Sequence, residues 1–184
     1  MRRINARKIT KAVKTLFIEA NTVLGKDVME ALQKALSTEE SDTGRQVLQK
    51  MIENADIARR EKIPICQDTG LAVVFVELGQ DVRVTGGPLQ EAIEEGVRQA
   101  YQDGYLRKSV CDPLTRANTN DNAPSILHMD IVPGNQLRII AMPKGGGSEN
   151  MSAARMLTPA AGIEGIKKFV LETVEAAGAN PCPP

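Results

Sequence analysis

One proline divides this chain into two regimes of backbone. Pro64 has no amide proton and disfavours helical geometry at Ile63, so a helix-rich first third cannot run on through it. Immediately beyond lies the polar segment Ile65-Cys-Gln-Asp-Thr-Gly70, followed by Leu71-Ala-Val-Val-Phe-Val-Glu-Leu78, which is apolar and β-branched enough for a buried strand. A tight polar loop is therefore expected at the mouth of a sheet.

Before the break, Val13, Leu16, Phe17 and Ala20 fall at helical spacing in a segment over 9–38, with Gly25 as a stop and a second helix over 27–36. Ser41 or Asp42 caps a third, whose apolar stripe is Val47, Met51, Ile52 and Ala55. After the first strand, Pro88 suits the start of a helix over 89–101, with Glu91, Glu94 and Glu95 early, where the helix dipole favours them. Two more strands are expected over 125–132 and 136–142, joined as a hairpin by Pro133-Gly134-Asn135. A last helix begins near Gly162, carries Ile163, Ile166, Phe169, Val170 and Val174 on one stripe and ends at Gly178. The fold class is α+β: N-terminal helices, then a mixed β-sheet flanked by helices. Residues 1–60 form a helical segment and residues 61–184 an α/β region of the same domain.

A chain of 184 residues with 42% hydrophobic content can bury a substantial core. Its 23 basic and 23 acidic residues balance without long blocks of either sign, so a nucleic-acid partner has no electrostatic footprint. No apolar stretch resembles a secretory signal or is long enough to cross a bilayer, which leads to the expectation of a cytoplasmic protein without a membrane partner. The three cysteines, Cys66, Cys111 and Cys182, are widely separated and odd in number, which suits free thiols rather than a disulfide framework.

Cys66 sets a soft thiol beside the carboxamide of Gln67, the carboxylate of Asp68 and the hydroxyl of Thr69, as a metal-linked polar site would. The competing reading makes Cys66 a small hydrophobe and Asp68-Thr69 a turn, the commoner outcome in an arbitrary sequence. Cys182 lies between Pro181 and Pro183, whose fixed φ would hold a thiolate stiffly; an incidental loop cysteine is the alternative. Zinc fits poorly, because neither cysteine has a second ligand at short spacing and the sole histidine is His128. The amides of Gly145, Gly146 and Gly147 suit either a nest for a carboxylate or a flexible connection. Arg107 could pair bidentately with a carboxylate, although a solvated arginine is commoner. His128 reads as a satisfied sheet-face residue alternating with Leu127 and Met129. Asp112, Arg116, Asn118, Asp121 and Asn122 read as loop anchors through side-chain to backbone bonds. Nothing recommends Cys111 as a ligand.

Five blocks occur in order: Ile-Cys-Gln-Asp-Thr-Gly (65–70), Leu-Arg-Lys-Ser-Val (106–110), Asp-Pro-Leu…Arg…Asn-Thr-Asn-Asp-Asn-Ala-Pro (112–124), Lys-Gly-Gly-Gly-Ser-Glu-Asn (144–150) and Asn-Pro-Cys-Pro-Pro (180–184). Together they resemble the alpha subunit of the class I, iron-sulfur fumarate hydratases and L-tartrate dehydratases, over nearly the whole chain. The resemblance implies that Cys66 and Cys182 are two of three thiolate ligands of a four-iron four-sulfur cluster with one open iron. It implies that Gln67, Asp68, Arg107 and one of Gly145 to Gly147 contact a small dicarboxylate, malate or fumarate, with Asp68 also a catalytic residue. The implied activity is the reversible dehydration of malate in the tricarboxylic acid cycle. Implied partners are a beta subunit or fused C-terminal domain, which supplies the catalytic base, and further copies of the chain. In this family the alpha subunit continues past Cys-Pro-Pro and supplies the third cysteine there, so the chain ending at Pro184 is expected to be inactive alone. The fumarase pattern at 145–150 reads Gly-Gly-Gly-Ser-Glu-Asn, as here, which favours malate over tartrate. From another class comes the reading of a non-catalytic assembly module, for which the absence of Trp leaves no aromatic anchor.

Overall fold

The computed structural model describes residues 1–181. The chain divides into two compact units, Met1–Lys144 and Gly145–Pro184.

In the first unit, strand β1 (Arg2–Asn5) leads directly into helix α1 (Ala6–Thr22), where the Asn5 side chain accepts the Arg7 amide hydrogen at 2.9 Å as an N-cap. Helix α2 (Lys26–Thr38) follows, and here Gly25 is the N-cap of the second helix rather than the end of the first. Helix α3 (Asp42–Glu61) is capped by Ser41, whose Oγ accepts from the Gly44 amide at 3.3 Å, and it ends at Lys62 in the left-handed region. Of the expected α3 stripe only Ala55 is buried. Val47 and Met51 stay exposed, because α3 packs chiefly on α2 and not on the main core.

The remainder of this unit comprises β2 (Leu71–Gly79), β3 (Val82–Thr85), α4 (Leu89–Asp103), β4 (Ile126–Val132) and β5 (Leu137–Lys144). The expected α+β class and the order of helices before sheet hold. β1 pairs in parallel with β3, a contact between distant stretches that the short segment Arg2-Arg-Ile-Asn5 does not advertise.

The expected hairpin does not form. β4 and β5 never pair with each other; both pair with β2, β4 in parallel and β5 antiparallel, giving the order β4-β2-β5. The Pro133-Gly134-Asn135 turn instead crosses the end of β2. There the amides of Gly79, Gln80 and Asp81 donate to the carbonyls of Gln136 (2.8 Å), Val132 (2.9 Å) and Gly134 (2.9 Å). Glycine at 79 makes the crossing possible, since a Cβ there would stand 2.4 Å from the Gly134 carbonyl oxygen.

The core lies between one sheet face and the α1–α4 pair. Ala72, Val74 and Val76 of β2 meet Ile9, Val13 and Phe17 of α1 and Ile93, Val97, Ala100 and Tyr101 of α4. The two helices approach closely at Gly96, where a Cβ would lie 2.7 Å from the Thr10 carbonyl oxygen and from Val13 Cβ. On the opposite sheet face, Phe75 stands beside His128 in register, and their rings stack at 4.9 Å. His128 is thus the sheet-face residue its alternation predicts.

In the second unit, helix α5 spans Gly162–Ala177, and Phe169 packs beneath Arg155, whose guanidinium carbon lies 4.9 Å from the ring centroid. The stripe of Ile163, Ile166, Val170 and Val174 forms one helix face and is exposed. Among the described residues no helix is long and apolar enough to cross a membrane.

Candidate active site

The segment between α3 and β2 is pinned at its start by backbone and carboxamide bonds. The Ile65 amide donates to the Asn21 carbonyl at 2.9 Å, and Asn54 Nδ2 donates to the Ile65 carbonyl at 2.8 Å. Held there, Cys66 projects an exposed thiol, and the Asp68 amide donates to its Sγ at 3.4 Å. Asp68 closes the turn by accepting the Gly70 amide hydrogen at 3.1 Å.

Thr69 joins this loop to the segment after α4. Its side chain is buried, and Oγ1 donates to the Arg107 carbonyl at 3.1 Å. The bond sets the exposed Arg107 beside the stretch that carries Cys66, Gln67 and Asp68, so four residues singled out from the sequence occupy one neighbourhood of the first unit.

Behind them lies a buried polar layer. The Tyr101 hydroxyl donates towards the carbonyls of Thr69 (2.7 Å) and Gly70 (3.0 Å). Burial, then the Asp68 charge, push its phenol well above the ordinary range, so it stays a donor at neutral pH. Asn122, fully buried, accepts the amide hydrogens of Ser109 (2.6 Å) and Val110 (3.1 Å) through Oδ1 and donates to the Gly70 carbonyl at 3.2 Å through Nδ2. Its φ of 60° lies in the left-handed region, which asparagine tolerates better than most residues.

The polar stretch 112–122 anchors its loop as expected. Asp112 Oδ1 accepts the amides of Leu114 (3.0 Å) and Thr115 (2.6 Å), and Asn118 Nδ2 donates to the Lys108 carbonyl at 3.0 Å. Cys111 forms an isolated bridge with Asn118 inside this loop. Tyr101 is the residue that reading by motif misses. It sits in the last turn of α4, where periodicity marks it only as core, and nothing local shows that its hydroxyl reaches the Thr69 and Gly70 carbonyls.

Asp121 fastens the same loop to α4. Its carboxylate accepts the Ala123 amide hydrogen at 3.0 Å and the Arg98 Nε hydrogen at 3.0 Å, and the Ala123 bond, followed by Arg98, holds its pKa below the usual carboxylate value. A depressed folded-state pKa means stabilisation present above the unfolded value of about 4 and lost as pH falls through the folded value. In urea unfolding from pH 7 to pH 3, the stability gap between wild type and Asp121→Asn should therefore narrow below about pH 4. A gap constant across that range would remove Asp121 from the acid response.

In the second unit, the Gly147 amide donates to the Glu149 carboxylate at 2.8 Å, at a Gly147 φ of 123° that a side chain would strain. The carboxylate that this amide holds is the chain's own, from Glu149 two residues on. Cys182 lies outside the described residues. Among the described residues no group of three His, Cys, Asp or Glu side chains could hold a metal ion, and Cys66 is the one thiol at the site. These residues fit one ligand position of a larger donor set and not the whole set.

The fumarate hydratase (Fumerase) family model matches residues 10–184. The chain belongs to this family. A Methanocaldococcus jannaschii protein provisionally named L(+)-tartrate dehydratase subunit alpha is 44% identical over 96% of this chain and 64% of its own length. Fumarate hydratase 2 of Leishmania major is 31% identical over 99% of this chain and 33% of its own. The L(+)-tartrate dehydratase subunit alpha of Escherichia coli K12 is 30% identical over 96% and 59% respectively. The chain therefore spans between one third and two thirds of the lengths of these Fumerase-family relatives.

Proposed function

We propose that this chain is the cluster-side portion of a hydro-lyase alpha subunit that interconverts (S)-malate with fumarate and water. The observation that supports the reading is the bond from Thr69 Oγ1 to the Arg107 backbone carbonyl, which ties the segment carrying the exposed Arg107 to the loop carrying Cys66, Gln67 and Asp68. A dicarboxylate needs a planar cation for one end, and Arg107 has the bidentate fork for it. Gln67 supplies carboxamide hydrogens and an acceptor, and Asp68 an acceptor for a substrate hydroxyl or a proton in transit; by the family resemblance one of Gly145 to Gly147 is a further substrate contact.

The dehydration breaks a C3–H bond and the C2–O bond, and the C–H electron pair becomes the double bond. The C3 proton goes to a base on a beta subunit or fused domain, and the departing hydroxide takes up a proton to leave as water. Cys66, with Cys182 and a third cysteine outside this chain, would ligate a four-iron four-sulfur cluster, which when bound supplies Lewis acidity to the leaving hydroxyl. This chain's own part is to bind and orient the dicarboxylate through Arg107, Gln67 and Asp68, which lowers the entropic part of the barrier. Self-association and a cytoplasmic site of action belong to the same proposal.

The Gly145 to Asn150 block favours malate, whereas the 44% identity to a protein provisionally named for tartrate favours a substrate with one more hydroxyl. Turnover of malate and of L-tartrate by the complete, anaerobically reconstituted assembly decides between them. A higher kcat/KM for malate is expected, a higher value for tartrate reassigns the substrate, and turnover by the purified chain alone would refute its dependence on a partner.

A further inference from the structure

Three buried polar groups form a layer directly beneath the site, and none of them reaches the surface where a substrate would sit. Thr69, Tyr101 and Asn122 are each at most 2% exposed. Their bonds all cross between separate stretches of chain. Thr69 Oγ1 reaches the Arg107 carbonyl, Asn122 reaches Ser109 and Val110 on one side and Gly70 on the other, and Tyr101 reaches Thr69 and Gly70 from α4. The layer so joins the loop with Cys66, Gln67 and Asp68 to the segment with Arg107. Cys66 and Arg107 are exposed on its outer surface, so their separation is fixed by the backbone they share with this layer.

Resting on the proposed hydro-lyase reading, we infer that Thr69, Tyr101 and Asn122 are positioning residues that set the spacing between the Cys66–Gly70 loop and Arg107 and so tune recognition of the dicarboxylate. The bonds are buried, and a buried hydrogen-bond network with every member satisfied defines one geometry rather than several. Tyr101 is suited to the task because its ring is packed at 6.1 Å from that of Phe17, which ties the layer to the hydrophobic core. Arg98, through Asp121, holds the far end of the same loop to α4.

The test uses the complete reconstituted assembly and a pair of substitutions at one position. Thr69→Val is close to isosteric and deletes only the hydroxyl, whereas Thr69→Ser keeps it. Tyr101→Phe similarly removes one oxygen and leaves the ring. We expect Thr69→Val and Tyr101→Phe to raise KM for the dicarboxylate by about tenfold or more, the equivalent of one lost hydrogen-bond restraint, while iron content stays at the wild-type level. Thr69→Ser should restore KM to within about threefold of wild type. Amide hydrogen exchange supplies a readout independent of turnover: protection should fall at Gly70, Ser109 and Val110 while β2 amides in the core keep theirs.

Unchanged KM with the same local loss of protection would overturn the inference, leaving the layer a purely structural one. Exchange that rises equally throughout the chain would overturn it as well, because the variants would then have lowered global stability. If the wild-type assembly turned over neither malate nor tartrate, the hydro-lyase reading would fall. The spacing claim would then stand or fall on exchange at Gly70, Ser109 and Val110 alone.

Discussion

Cys66→Ser is expected to abolish turnover in the reconstituted assembly, by about a thousandfold or more, which corresponds to roughly 4 kcal/mol of lost barrier lowering. The substitution swaps sulfur for oxygen at an exposed position, so it has no steric consequence for the fold. The loop is held by Asn54, the Ile65 amide, Thr69 and Tyr101, and none of their bonds passes through the thiol. At Sγ itself the substitution disturbs a long hydrogen bond, donated by the Asp68 amide at 3.4 Å. Stability should change by no more than about 0.5 kcal/mol, as for surface substitutions in general. What changes is ligand chemistry: a serine hydroxyl stays protonated at neutral pH, whereas a thiolate is soft and binds iron. Iron content and malate turnover, measured on the same preparation, should fall together. Wild-type levels of both would remove Cys66 from the ligand set and return it to the standing of an exposed loop residue.

The second large effect concerns the core. Phe17→Ala should destabilise the chain by about 3–5 kcal/mol, the cost of deleting a fully buried aromatic ring and leaving a cavity. Phe17 is fully buried on α1 between the sheet and α4, with its ring tilted against that of Tyr101. The closeness of α1 to α4 at Gly96 leaves those helices little room to collapse into the void. Since domains of this size are stable by about 5–15 kcal/mol in all, the loss would be visible as a large drop in the urea midpoint. A shift worth less than about 1 kcal/mol would mean that the α1–α4 pair repacks readily, contrary to the close approach at Gly96. Tyr101→Phe should show the opposite balance, with a modest loss of stability and a large change in substrate affinity. The two substitutions therefore separate what the core does for the fold from what its polar edge does for the site.

The local chemistry of the site was legible because its residues come in short contiguous runs. Cys66 through Gly70 is a single polar turn between a proline stop and a strand, and turn formers in that position have few alternatives. The helices were legible for a related reason: caps and apolar spacing act within one or two turns, as Asn5 does on Arg7 and Ser41 on Gly44. The loop over 112–122 was equally readable as self-anchoring, since Asp112 and Asn118 bond to backbone within a few residues or to an adjacent segment.

Strand pairing was not legible. Pro133-Gly134-Asn135 is a good turn, and a good turn between two strands ordinarily makes a hairpin. It does not do so here because Gly79 offers a bare Cα over which the turn can pass, and β2 has two free edges to satisfy. That outcome depends on a residue more than fifty positions away, as does the pairing of β1 with β3. Likewise, the sequence placed Cys66, Gln67 and Asp68 together and named Arg107 separately, but contained no instruction about the distance between them.

By itself, then, the sequence determined the helices, the polar turn after Pro64, the α+β class and the residue types available for chemistry, since each follows from interactions within a few residues. Only the tertiary structure decided the strand order, the union of that turn with Arg107 through Thr69, and the use of Tyr101 and Asn122 as its floor. Those features are bonds between segments far apart in the chain, backbone to backbone in the sheet and side chain to backbone at the turn. Their formation depends on how α4 and β2 pack, which is a property of the whole core and not of any one stretch.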